Sequence, residues 1–151
     1  MRQQGFSYVV VMFLVAVLSI VSVRALENTL TSERRDKEAE LLWRGMAYRD
    51  AIRDYYINAP GTSQVYPQQL SDLLYDARFT VPRRPLRKLY RDPVTADGQW
   101  ELVHNPDGKL IGVRSRSSLK PIKRDGFPDD LKNFANAEHY SDWQFVYQQA
   151  K

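Results

Sequence analysis

Along the first third of the chain the apolar positions change their spacing, and the change predicts one long helix with two different halves. Residues Phe6 to Val23 carry no formal charge and run through Val, Ile, Leu and Phe almost without a break. At about 1.5 Å of rise per residue a helix of them covers roughly 27 Å, close to the ~30 Å apolar thickness of a bilayer. A strand of that length would be exceptional, and lipid requires backbone groups to be satisfied within the segment, so a membrane helix is expected. From Leu26 to Asn58 the sequence turns charged, lacks proline, and sets Leu41, Gly45, Tyr48, Ile52 and Tyr55 at helical spacing, with Leu42 and Met46 beside them. That stripe should face a core. Residues 31–40 read as polar all round, to be solvated or turned toward other chains. Gly45 costs a helix about 1 kcal/mol against alanine, which points to a close approach by a strand as the compensation. The helix should end at Asn58-Ala59-Pro60-Gly61.

Beyond that point the periods shorten. Pro67 suits the first turn of a short helix whose Leu70, Leu73 and Leu74 share one face. Asp92-Pro93-Val94-Thr95 opens a turn, Trp100-Glu101-Leu102-Val103 alternates as a half-buried strand, and Asn105-Pro106-Asp107-Gly108 turns the chain into Leu110-Ile111-Gly112-Val113. Together these predict an antiparallel hairpin. Residues Ser118 to Ser141 form a long connection broken by Pro121, Gly126 and Pro128, with room for a short helix around Asp129 to Ala137. Trp143-Gln144-Phe145-Val146-Tyr147 then alternates aromatics on one face, as a last strand closing the sheet against the helix. The fold class expected is α+β: a long N-terminal helix, transmembrane in its first half and amphipathic in its second, packed on a small antiparallel sheet within about 100–147.

Composition narrows the chemistry. Lys and Arg number 22 against 18 Asp and Glu, a net charge of +4 with both signs interleaved, so composition alone demands neither nucleic acid nor an acidic partner. With no cysteine there are no disulfides, no thiol catalysis and no Cys-ligated metal. About 128 residues after the apolar run suffice for one domain and not for two.

The junction Arg2-Gln3-Gln4-Gly5 before Phe6-Ser7-Tyr8 resembles the leader of type IV pilins and type II secretion pseudopilins, with Gly5 and Phe6 matching and Ser7 in place of threonine. Tyr66-Pro67 before Leu70 and Leu73, and Asp92-Pro93 before a hairpin ending Gly112-Val113-Arg114-Ser115, are similar to later parts of pseudopilins. The resemblance implies a leader at 1–5, a transmembrane helix at 6–24 and a periplasmic pilin-like head at 25–151 whose helix covers 25–58. It implies cleavage between Gly5 and Phe6 by prepilin peptidase, with N-methylation of Phe6 as the family's next step. It further implies a single-pass protein of the bacterial inner membrane, N-terminus cytoplasmic and head periplasmic, moving into a pseudopilus or pilus on assembly. Its partners would be other pseudopilins or pilins, the inner-membrane assembly platform and the lipid bilayer, with no cofactor and no enzymatic activity. One position departs from the pattern: Val10 stands where the family carries a glutamate. A carboxylate in an apolar span costs about 2.5–3.5 kcal/mol unless paired, so Val10 removes both a cost and an inter-subunit contact. This marks a minor or atypical member, placed most simply at a tip or in an initiating complex. The competing readings are a secretory signal peptide cleaved after Val23-Arg24-Ala25, and a plain signal anchor.

The sharpest charge feature is Pro82 to Arg91, in which Arg83, Arg84, Arg87, Lys88 and Arg91 are basic. Such a run is either a solvated connector or a patch for phosphate, anionic headgroups or an acidic partner subunit. The alternative function it suggests is a pilus-associated minor pilin that binds DNA or another anionic ligand, although single-stranded binding wants exposed aromatics among the cations and Tyr90 alone offers one. Nucleic acid is not the expected partner. His104 and His139 stand isolated, and Asp125, Asp129 and Asp130 do not match a calcium-loop spacing closely. No phosphate loop, nucleophile elbow or metal motif is present, so neither catalytic nor metal-binding residues are assigned.

Overall fold

The computed structural model describes residues 4–61 and 63–149, and of residues 4–6, 23 and 25–28 the backbone alone. It is an α+β chain: helix α1 (Gln4–Ile57, 54 residues), three short 3₁₀ turns, and strands β1 (Trp100–His104), β2 (Leu110–Ser115) and β3 (Gln144–Val146). The chain divides into two compact units, Met1–Asp36 and Lys37–Lys151.

In the first unit α1 presents its apolar side chains to the outside all the way round, with the large ones from Tyr8 to Val21 exposed by 40–68 %. The Ser19 and Ser22 hydroxyls donate to the carbonyls of Val15 and Leu18, each at 2.8 Å, and so are satisfied within the helix. The expected single-pass placement in the inner membrane is overturned: among the described residues no helix is long and apolar enough to cross a membrane. The transmembrane half of the expected fold goes with it.

The second unit holds the core. Leu41, Tyr48, Ala51, Ile52 and Tyr55 are buried along one stripe of α1, as the helical spacing predicts. They meet a three-stranded antiparallel sheet in the order β1-β2-β3, in which Leu102 pairs with Val113 and Val113 with Phe145. The hairpin turn is held by the Gly108 N–H on the Asn105 carbonyl at 2.9 Å and by the Asn105 side-chain oxygen, which accepts from Asp107 and Lys109. On β3 the alternation puts Phe145 into the core, where its ring lies across Gly45. A Cβ at that position would come within 2.3 Å of the ring, so the strand approaches the helix where the only side chain is hydrogen. Phe134 stacks on Trp143 at 5.4 Å and meets Phe145 edge-on at 5.2 Å, so the long connection after β2 closes the core with aromatics.

Two details differ from expectation. The turn carrying Leu70 is a 3₁₀ segment, Leu70–Leu73, that begins after Pro67 rather than at it; the Asp72 carboxylate fixes its start by accepting from the N–H groups of Gln68 (2.9 Å) and Gln69 (3.1 Å). Residues 31–40 are not polar and solvated throughout: Glu38 is 4 % exposed, and its carboxylate accepts from the N–H groups of Ile122 (2.7 Å) and Lys123 (2.9 Å) and from the Tyr140 hydroxyl (2.9 Å).

The end of α1 is tied down by an ion pair. Arg78 grips buried Asp76 through Nε (2.8 Å) and Nη2 (2.6 Å), donates to the Tyr55 carbonyl at 2.7 Å, and stacks its guanidinium 3.5 Å from the Tyr55 ring centroid. An arginine on the last carbonyls of a helix is favourable both as a hydrogen-bond donor and against the helix dipole. The Arg78 side chain holds the Asp76 carboxyl below the usual carboxylate range, against an opposing contribution from burial. A carboxylate with a depressed folded-state pKa contributes stability that is present above the unfolded value, about 4, and lost as pH falls through the folded one. Unfolding midpoints should therefore drop as the solution is acidified below about 4, and Asp76→Asn should flatten that dependence. Equal pH slopes in the two proteins would show that the pair carries none of it.

Candidate functional site

The basic run lies on the surface of the second unit, hung from one buried residue. Leu86 is buried and donates its N–H to the Leu73 carbonyl at 2.9 Å, and Asp76 donates its N–H to the Arg83 carbonyl at 2.9 Å, so the backbone of 83–86 is fixed. The cations point away from it. Arg83, Arg84, Arg87, Lys88 and Arg91 are all exposed, and among the described residues none of them forms an ion pair with a carboxylate. They are not gathered into one spot. Arg83 lies 5.3 Å from the Phe79 ring centroid, Lys88 5.5 Å from that of Tyr90, and Arg91 packs on Gly98 while donating to the Asp97 carbonyl at 2.9 Å. Gly98 has φ +69° and a Cβ there would strike Arg91, so glycine is needed both for the backbone turn and for the arginine's seat.

The C-terminal end of the run is the most rigidly held. The Tyr90 carbonyl accepts from the Tyr48 hydroxyl (2.9 Å) and the Trp100 indole (3.0 Å), and the Arg91 carbonyl accepts from Arg44. Burial pushes the Tyr48 phenol up to about 12, against the lowering effect of the bond to Tyr90, so it is a neutral donor under ordinary conditions. Just behind, Asp92 is buried; its carboxylate accepts from the Val94 N–H (2.9 Å) and the Ser115 hydroxyl (2.6 Å) and locks the turn to β2. The outcome is a surface with an aromatic centre. Trp43, 58 % exposed, packs edge-to-face on Tyr90 with centroids 5.0 Å apart.

Beside Tyr90 opens a cleft of about 550 Å³. Its apolar lining includes Leu70, Leu89, Trp100 and Leu102, and its two cations are Arg91 and Arg116. That volume falls within the range of ligand clefts, ~300–1,000 Å³. Arg116 faces Asp97 loosely, at 3.7 Å, with both side chains more than half exposed. Of these residues the sequence offered Arg91 as a candidate for binding, and Leu70, Trp100 and Leu102 only as parts of a short helix and a strand. Trp43 and Arg116 have no motif around them; a tryptophan one step off the buried stripe of α1 was the one readable hint.

No protein-family model, curated protein or solved structure matches this chain. The remaining assignments therefore rest on geometry. Met1–Gln3 of the leader lie outside the described residues; Gly5 and Phe6 are helical in backbone, and the Phe6 side chain lies outside the description as well. Val10 is exposed on α1. His104 is exposed, and His139 is exposed with Nδ1 at 3.8 Å from Asp142. The three aspartates considered for calcium turn to separate partners: Asp125 to the Gly126 N–H, Asp129 to Lys132, and Asp130 to Arg49.

Proposed function

We propose that the chain is a structural subunit of a pilin- or pseudopilin-like filament, a minor or atypical one, matured by a prepilin peptidase between Gly5 and Phe6 and assembled through its N-terminal helix. The observation that carries this is the girdle of exposed apolar side chains from Tyr8 to Val21. A helix that is hydrophobic all round is stable only when something covers it. Like helices in a bundle cover it completely, and here nothing on the helix resists them: the two serines are satisfied internally, Ala16 and the serines allow close backbone approach, and Val10 leaves no carboxylate to be neutralised. The second unit would then select neighbours.

Because the chain has no cysteine, single cysteines can be placed without background. Val10→Cys and Leu14→Cys should give a ladder of cross-linked species with a short bismaleimide. Gly5→Leu should leave an uncleaved precursor and erase that ladder. Normal maturation of Gly5→Leu, or cross-linking that never goes beyond monomer, would refute the reading. The amount of the subunit in sheared filaments tests the tip placement, which requires traces and is incompatible with a bulk repeating component. The second reading, an anionic-ligand surface on Arg83, Arg84, Arg87, Lys88 and Arg91, is favoured by their exposure and by the absence, among the described residues, of an ion pair to any of them.

A further inference from the structure

Strand β1 is an edge of the sheet and among the described residues pairs with β2 alone, so half of its backbone N–H and C=O groups face away from the sheet. Edge strands are commonly blunted by proline, by lysine or by a bulge. Here the stretch Trp100 to Val103 contains neither residue, and the one irregularity in its pairing falls at the far end, between Val103 and His104. The cleft described above lies along this strand, since Gln99, Trp100 and Leu102 line it. Leu102, 39 % exposed, presents an apolar side chain there, whereas Glu101 by strand alternation faces the other side and is bonded to Arg114 at 2.6 Å.

Charge selects the occupant. The residues lining the cleft include two arginines and no carboxylate; Asp97, which faces Arg116 at 3.7 Å, is itself more than half exposed and leaves that arginine open to a second acid. We infer that the cleft is a docking site for an extended acidic segment of a partner polypeptide, which adds to β1 as a fourth strand. Main-chain bonds to β1 would supply affinity, an apolar side chain would sit against Leu70, Leu89 and Leu102, and alternate carboxylates would meet Arg91 and Arg116. Nucleic acid fits the same surface less well. Trp43 and Tyr90 are packed edge-to-face against each other rather than as open stacking platforms, and bases make no use of a free strand edge. The site lies wholly within the Lys37–Lys151 unit and does not rest on the filament reading.

The test uses the full-length chain in mild detergent and a peptide of about eight residues alternating glutamate and valine as probe. Binding should be saturable, should slow amide exchange in 99–104, and should weaken about tenfold or more between about 50 and about 300 mM salt. A lysine–valine peptide, and the acidic peptide N-methylated at alternate residues, should each bind at least about tenfold more weakly. Arg116→Glu and Leu102→Asp should weaken binding while leaving the melting temperature within a few degrees. Absence of saturable binding, protection elsewhere than 99–104, equal binding of the N-methylated peptide, or tighter binding of a single-stranded oligonucleotide would each overturn the inference.

Discussion

Gly45→Ala should destabilise the protein by about 2 kcal/mol, although alanine is the better helix former by about 1 kcal/mol. The new methyl carbon would lie 2.3 Å from Cδ2 of Phe145, 2.4 Å from Cε2 and 2.5 Å from Cγ, and a flexible side-chain end would simply move aside. This ring has nowhere to go. Phe145 is fully buried, its backbone is paired with Val113, and its ring is hemmed by Phe134 at 5.2 Å and Trp100 at 6.2 Å. Relief must come from moving β3 off α1, which opens the packing on both sides. The decisive measurement is a double-mutant cycle by chemical denaturation. Phe145→Ala alone should cost about 3–5 kcal/mol. In that background the clash is gone, so Gly45→Ala should change sign and stabilise by up to about 1 kcal/mol. Destabilisation of the same size in both backgrounds would mean that Gly45 matters for some reason other than the ring.

The elements legible in the sequence are those whose determinants are local. Asn105-Pro106-Asp107-Gly108 between two apolar runs specifies its hairpin through its own side-chain and backbone bonds, and the alternation Trp143, Phe145, Tyr147 specifies which face of β3 turns inward. Gly45 was readable for a related reason: a helix breaker in the middle of a buried stripe requires compensation, and the sheet supplies it. The apolar run at the N-terminus was read for more than it carries. Its composition suits lipid, yet among the described residues no helix is long and apolar enough to cross a membrane. The candidate site divides in the same way. The five cations of 83–91 were visible as a cluster in sequence, but their spread on the surface, and the collection of the Tyr90 and Arg91 carbonyls by Tyr48, Trp100 and Arg44, join residues far apart in the chain. Donors that reach for a backbone carbonyl leave no trace in the pattern of side chains. The cleft beside β1 depends on the same kind of long-range juxtaposition.

Glu38→Ala should be the most damaging change to any charged residue of α1, about 3 kcal/mol, although the sequence around it reads as solvent-facing. Its carboxylate accepts from three donors at once: the N–H groups of Ile122 and Lys123, more than 80 residues away at separations of 84 and 85, and the hydroxyl of Tyr140. Tyr140 is 2 % exposed, so water reaches that hydroxyl poorly. Each buried donor left without a partner costs about 1–3 kcal/mol, while the bonds themselves, made to a charged acceptor, are worth about 1.5–3 kcal/mol each. Collapse of the loop and entry of water recover part of this. Glu38→Gln keeps one oxygen but turns an NH2 toward a donor, and should lose about half as much. The effect also has a place. Amide exchange at Ile122 and Lys123 should accelerate well beyond that of β1 and β2, because the carboxylate anchors the long connection onto α1 and leaves the hairpin untouched. Tyr140→Phe removes one donor together with its demand, so it should cost only about 1 kcal/mol and should soften the Glu38→Ala loss when the two are combined. A Glu38→Ala protein within about 0.5 kcal/mol of the parent, or one whose exchange rises evenly through all three strands, would show that the carboxylate is a bystander.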